Sequence, residues 1–316
     1  MEPIKLTWII AHQPAYLFYR VAADFKRIVN ERSKSVKIDI EILTAEEYNQ
    51  KYSPVEPATR HNLWKFLQNN SVQIAQMQVA SLASQCNKQM NALEMPYIFE
   101  DHDHAASVLE GDIGTTLLNS FDKDSNLKGL AYTYSGGFRL MPLNKTVSSL
   151  GEIAGLTMRS GPTQISQDIM KSFGFAPVPT EIDEVSTAVQ LGKVIGGEHV
   201  AQRLLPDQCD DWIKTIIDTK HSLFLTSIVV NLEWWNSLDS EVQEIFLEAA
   251  REAALNERQL SIEDGENSIN YLKSKGVKMI DLSEDEITDL KNKAKSVYEK
   301  YEPELKYIPH IKNRWR

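Results

Sequence analysis

The sequence predicts an α/β protein of two lobes, and three observations carry that prediction. Strand-like and helix-like periodicities alternate from the first residues. The same alternation starts afresh near residue 155. A chain of 316 residues also exceeds one ordinary core and suits two of roughly 100 to 200 residues each.

The elements follow in order. Residues 4–10 read as a strand, and Pro14 opens a helix whose apolar residues Leu17, Val21, Phe25, Ile28 and Val29 recur at helical spacing. Residues 36–42 alternate apolar and polar side chains after the turn-prone segment 32–35, which makes a second strand and begins a βαβ pattern. Residues 63–68 read as helix, and 72–77 and 129–134 as strands bounded by polar or glycine-containing turns. Residues 155–160 form a strand whose end runs through Gly161-Pro162-Thr163 into a helix with Ile165, Ile169, Met170 and Phe173 on one face, closed by Gly174. A helix with Val185, Ala188 and Val189 inward follows Pro177-Val178-Pro179, ends at Gly192, and gives way to strand-like 194–197. Beyond Ser240 charged helices dominate, over 241–260 and 284–301. No internal repeat or low-complexity segment interrupts this doubly wound layout.

Composition removes several function classes. With 44 acidic against 34 basic residues, the net charge of −10 repels nucleic acid and anionic membranes at long range. An anionic small molecule is repelled too, so a site for one must create its own positive field. Cys86 and Cys209 are the only cysteines, which excludes a disulfide scaffold and any multi-cysteine metal site. The longest apolar run, near 223–230, is far short of the ~20 residues that span a bilayer. Met1-Glu2-Pro3 leads straight into the first strand, so the expectation is either a cytoplasmic protein or one whose signal peptide is absent from this sequence.

Arg159 is the most informative position. A guanidinium at the C-terminal end of a strand, just before a helix, adds a fixed cation to a ready-made anion site, and its forked donors match a carboxylate. The helix N–H groups near Thr163 are expected to join it on the ligand. The alternative is a surface arginine in a salt bridge. Arg139 follows another strand through Gly136-Gly137, which lets backbone approach a ligand. Asp101-His102-Asp103-His104 has metal-ligand chemistry but equally suits the start of a helix, and no metal is expected there. His199 could be a general base, yet no nucleophile in a recognisable elbow accompanies it; a polar ligand contact is the expectation. Trp234-Trp235 reads as packing rather than a sugar platform. No phosphate-binding loop, dinucleotide fingerprint or HExxH is present, and no cofactor is expected.

Read together, these stretches resemble the solute-binding proteins of tripartite ATP-independent periplasmic (TRAP) transporters, the DctP-type family. The resemblance rests on Met95-Pro96-Tyr97-Ile98-Phe99 with Asp103-His104-Ala105, on Gly137-Phe138-Arg139, and on 150–159 ending in Met158-Arg159. It continues through 173–179, Glu184-Val185, 188–192 and Gly196-Gly197-Glu198. It implies a periplasmic-binding-protein-like fold with hinge strands and a long connecting helix. Lobe I is expected over 1–136 plus 225–264, and lobe II over 137–224 plus 265–316. The family closes on an organic acid whose carboxylate pairs with the arginine matched by Arg159, assisted by the one matched by Arg139. The Asp103-His104 pair becomes structural.

The chain departs from the family's VDGxEN pattern, with Ile195 for the aspartate and His199 for the asparagine that commonly touches ligand, and Ser186 stands where tyrosine is frequent. The expected function is therefore a periplasmic receptor, monomeric and without catalysis, that takes a carboxylate, or as second choice a sulfonate, to the membrane subunits of a transporter. His12, Gln13, Tyr16, Gln78 and His199 are the expected further contacts. Rival readings are an enzyme using His199 as base and a sensor domain binding the same acids.

Overall fold

The computed structural model describes residues 3–121 and 123–314. Its strands are β1 (Ile4–Ile10), β2 (Ile38–Thr44), β3 (Ile74–Gln78), β4 (Leu127–Leu143), β5 (Thr157–Ser160), β6 (Ala176–Pro179), β7 (His199–Val200), β8 (Thr215–Asp218), β9 (Leu223–Asn231) and β10 (Lys278–Asp281). Its α-helices are α1 (Ala15–Arg32), α2 (Ala45–Tyr52), α3 (Leu63–Gln68), α4 (Val79–Gln85), α5 (His102–Leu109), α6 (Asp112–Asn119), α7 (Gln164–Ser172), α8 (Val185–Gln190), α9 (Leu232–Asn236), α10 (Ser240–Ser274), α11 (Glu284–Lys293), α12 (Lys295–Tyr301) and α13 (Ile308–Asn313). The chain forms two compact units, and β4, β9 and α10 each run from one into the other.

The first unit comprises the described residues of 1–90, 106–135 and 225–260. Here β1 pairs in parallel with β2 and β3, as the βαβ pattern requires, while β9 joins β3 antiparallel. The apolar stripe of α1 packs on this sheet through Leu17, Val21, Phe25 and Ile28. The first part of α10 adds Val242, Phe246 and a run of alanines, Ala249, Ala250, Ala253 and Ala254, whose small side chains let the helix approach closely. Trp235 is buried in the same core and Trp234 packs against it, so this pair is packing.

The second unit comprises the described residues of 91–105, 136–224 and 261–316. Residues 91–105, 136 and 261–264, placed with the first lobe by the sequence reading, fall in this unit. The amide of Tyr97 donates to His221 O at 2.7 Å, and the hydroxyl of Tyr298 donates to Pro96 O at 2.6 Å. In its main sheet β4 runs antiparallel to β7 and β8, and β10 lies parallel to β8. A separate parallel pair, β5 and β6, carries Arg159. Between Lys293 and Lys295 the helix expected over 284–301 breaks into α11 and α12.

Among the described residues no helix is long and apolar enough to cross a membrane, and no group of three or more His, Cys, Asp or Glu is arranged to hold a metal ion. The ring of His104 meets the amide of Glu100 at 3.2 Å and Ile311 O at 3.1 Å, while Asp101 accepts from the His104 amide at 2.7 Å. That is helix-start chemistry at α5.

Candidate anion-binding site

Arg159 sits on β5 between two partners. Its strand pairs with β6 on one side, and on the other the Arg159 amide donates to Gly196 O at 2.7 Å while the Glu198 amide donates back to Arg159 O. Gly197 makes that approach possible: a Cβ there would lie 2.3 Å from Arg159 O, and its φ of +153° suits glycine. The glycines before Glu198 therefore press the 196–198 segment onto β5 and bring Glu198 beside the arginine.

Arg159 is only 4% exposed, which disposes of the surface salt-bridge reading. Its Nε donates to Thr180 O at 3.0 Å and its Nη1 to Glu198 O at 2.9 Å. These two bonds fix the plane of the guanidinium. Nη2 makes no hydrogen bond among the described residues. Burial draws the guanidinium down to about 10, Glu198 raises it, and Arg139 lowers it; it remains charged at neutral pH.

Arg139 reaches the same carboxylate from β4, with its Nε 3.7 Å from Glu198 Oε2, and its guanidinium lies over the Phe224 ring at 5.0 Å. Among the described residues its guanidinium makes no hydrogen bond. Arg159 Nη1 is 3.9 Å from Glu198 Oε1. Two cations thus converge on one buried carboxylate and keep donors unspent.

Glu198 is the residue that the sequence reading passed over. Its Oε1 accepts from the Gly161 amide and the Ser166 hydroxyl, and its Oε2 lies 3.5 Å from His221 Nε2. Burial alone would raise its pKa. Arg139, the His221 hydrogen bond and Arg159 outweigh that and hold the carboxyl well below its usual range. His221 itself is kept neutral by burial, against the pull of Glu198, and its Nδ1 is 2.7 Å from Thr219 Oγ1. The entry to α7 differs from expectation: Gly161 and Ser166 serve Glu198, and the Ser166 amide is capped by Thr163 Oγ1 at 3.2 Å. The protein's own carboxylate occupies the place expected for the ligand's. The signals available were a glycine pair followed by an acid at a strand end and the glutamate of the VDGxEN pattern, and charged residues are so often solvated that the first is weak.

His199 is directed elsewhere. It pairs with Leu140 in the β4–β7 ladder, where Arg139 pairs with Val200, so its side chain shares Leu140's face rather than Arg139's. Its Nδ1 meets the Val200 amide at 2.9 Å, and its Nε2 lies 3.3 Å from Asp207 Oδ2 and 3.8 Å from Cys209 Sγ. Burial lowers its pKa, opposed by Asp207. Asp207 also holds Arg203, with Nε at 3.1 Å from Oδ2 and Nη2 at 3.1 Å from Oδ1. Burial pushes the Cys209 thiol up to about 12, which leaves it unreactive.

The remaining candidates lie in the first unit. His12 and Gln13 follow β1, Tyr16 is in the first turn of α1, and Gln78 ends β3. Since β1 and β3 are parallel neighbours, all four stand at one sheet edge, at or just past the strands' carboxyl ends. His12 is buried with its ring 5.0 Å from Phe18, Gln13 and Tyr16 are exposed, and Gln13 Oε1 accepts from the Ala15 amide.

The family described as bacterial extracellular solute-binding protein, family 7, matches residues 13–304. An uncharacterized Haemophilus influenzae protein is 31% identical over 193 residues, 61% of this chain and 58% of that one. The 2,3-diketo-L-gulonate-binding periplasmic protein of Escherichia coli is 28% identical over 205 residues, 65% of this chain and 60% of that one. The chain thus spans less than two thirds of the length of these relatives.

Solved structures match over more of their length. A TRAP periplasmic solute-binding protein from Ochrobactrum anthropi superposes with a TM-score of 0.86 at 23% identity, covering 99% of this chain and 95% of that one. One from Pseudomonas putida with bound D-glucuronate gives 0.82 at 24%, covering 99% and 97%. One from Shewanella oneidensis with bound succinate gives 0.83 at 19%, covering all of both chains. At these identities the likeness establishes the fold.

Proposed function

Because the chain belongs to family 7 of the bacterial extracellular solute-binding proteins, we propose that it is a periplasmic receptor for a small organic acid. The acid group is held by Arg159 with Arg139 in support, and the bound acid is passed to the membrane subunits of a TRAP transporter. The observation that carries this reading is the convergence of Arg159 and Arg139 on Glu198 with Arg159 Nη2 and the outer nitrogens of Arg139 unspent. A buried, pre-oriented guanidinium loses little freedom on binding an anion, and low dielectric strengthens the pairing. Relatives that carry D-glucuronate, succinate or 2,3-diketo-L-gulonate in their names support an acid as ligand. An enzyme reading has less support, because the base it needs, His199, spends both ring nitrogens within its own unit.

The test is a thermal-shift screen of organic acids followed by calorimetry on Arg159→Ala, Arg159→Lys and Arg139→Ala. Truncating one partner of a buried charge pair costs about 2 to 5 kcal/mol, roughly thirtyfold to several thousandfold in affinity. Arg159→Lys keeps the charge without the fork and should recover part of it; Arg139→Ala should cost less than Arg159→Ala. Parent-like affinity in a folded Arg159→Ala protein would sink the site assignment.

A further inference from the structure

Building on the organic-acid reading, we propose that the site is made for a single negative charge, so that the ligand is a monoanion, one carboxylate or sulfonate with neutral oxygens elsewhere, and not a dicarboxylate. The charges of the buried groups set this limit. Arg139 and Arg159 supply two positive charges, and Glu198, fastened between them by Gly161, Ser166 and His221, removes one. A third guanidinium, Arg203, lies within electrostatic reach of Arg159, but Asp207 accepts from its Nη2, pairs with its charge and cancels it. Its Nη1 makes no hydrogen bond among the described residues. His199 and His221 are buried and neutral, held down by desolvation.

Two further carboxyls bear on the count, and both work against a dianion. Glu181, partly exposed, is within reach of Arg159. Glu94, partly buried, interacts with Arg139 and Glu198 and makes no hydrogen bond among the described residues. The buried surplus is therefore one positive charge at most. A monoanion comes nearest to cancelling it; each further negative charge is left uncompensated away from water, which is strongly disfavoured.

The experiment is calorimetry at pH 8 with matched acids: D-glucuronate against D-glucarate, lactate against malate, and 2-oxobutanoate against 2-oxoglutarate. In any pair that binds, the monoacid is expected to be at least about tenfold tighter. Glu94→Gln, which removes one negative charge without breaking a hydrogen bond, should narrow that gap by about threefold or more. A diacid that binds as tightly as its partner would overturn the inference while leaving the receptor reading intact. A gap unchanged by Glu94→Gln would overturn the charge tally as its cause. Failure of all six acids, together with silence across the wider thermal-shift screen, would overturn the receptor reading and the monoanion preference with it.

Discussion

At the scale of single residues, Glu198 and His199 are chain neighbours with opposite employment. Glu198 faces the two arginines, while His199 turns into a core with Leu140 and Cys209 and partners Asp207. Replacing His199 by Asn should then leave acid affinity within about threefold yet destabilise the fold by about 1–3 kcal/mol, because Asp207 loses a buried partner. Calorimetry and urea midpoints separate the two effects; a large loss of affinity at unchanged stability would return His199 to the ligand. Glu94 offers a second test. Burial pushes its carboxyl up to about 7, Arg139 opposing and Glu198 assisting. A raised folded-state pKa means stability that is full below the unfolded value near 4.5 and lost as pH rises through about 7. Glu94→Gln should therefore be more stable than the parent at pH 8, with the gap closing by pH 4.5, as urea denaturation would record.

At the scale of elements, the site depends on how closely one segment packs against a strand. Gly196 and Gly197 lay the 196–198 segment on β5, and Gly197→Ala would drive a methyl into Arg159 O and Cβ. The expected loss is about 1–3 kcal/mol from overpacking, accompanied by a fall in acid affinity since Arg159 must shift. A Gly197→Ala protein with parent stability and affinity would contradict that packing account. The short helix α2 makes a useful contrast. Thr44 and Glu47 form a complete capping box there, so Thr44→Ala should cost about 1 kcal/mol with no effect on ligand affinity.

At the scale of the whole molecule, proton linkage reports on the buried histidines. His199 and His221 both have depressed pKa values, caused first by burial. Between neutrality and pH 5 the unfolded chain takes up protons on them that the folded chain resists, so their contribution to stability falls as pH drops through about 6.5. Glu94 contributes the opposite slope over part of that range, so the Glu94→Gln protein should show the steeper acid loss. Equal slopes in the two proteins would contradict this assignment. A saturating acid ligand should stabilise by about 2.7 kcal/mol at one hundred times its dissociation constant. Chelator should leave that shift unchanged, because His104 spends its ring nitrogens on backbone groups; loss of the shift with chelator would revive a metal role.

The sequence alone determined several of the elements and singled out Arg159. Periodicity is local, so the parallel β1–β2 pair, the buried face of α1 and the β5-to-α7 turn were readable from spacing. Arg159 stood out because a strand end before a helix is a local pattern as well. Only the tertiary structure decided which charges meet. Glu198 draws its environment from Arg139, Arg159, Gly161, Ser166 and His221, residues 23 to 59 positions away, and no local pattern encodes such convergence. The ladder register, not residue type, sent His199 to the core face. Burial then fixed the protonation states, since desolvation depends on everything packed around a group and on nothing written beside it in the chain.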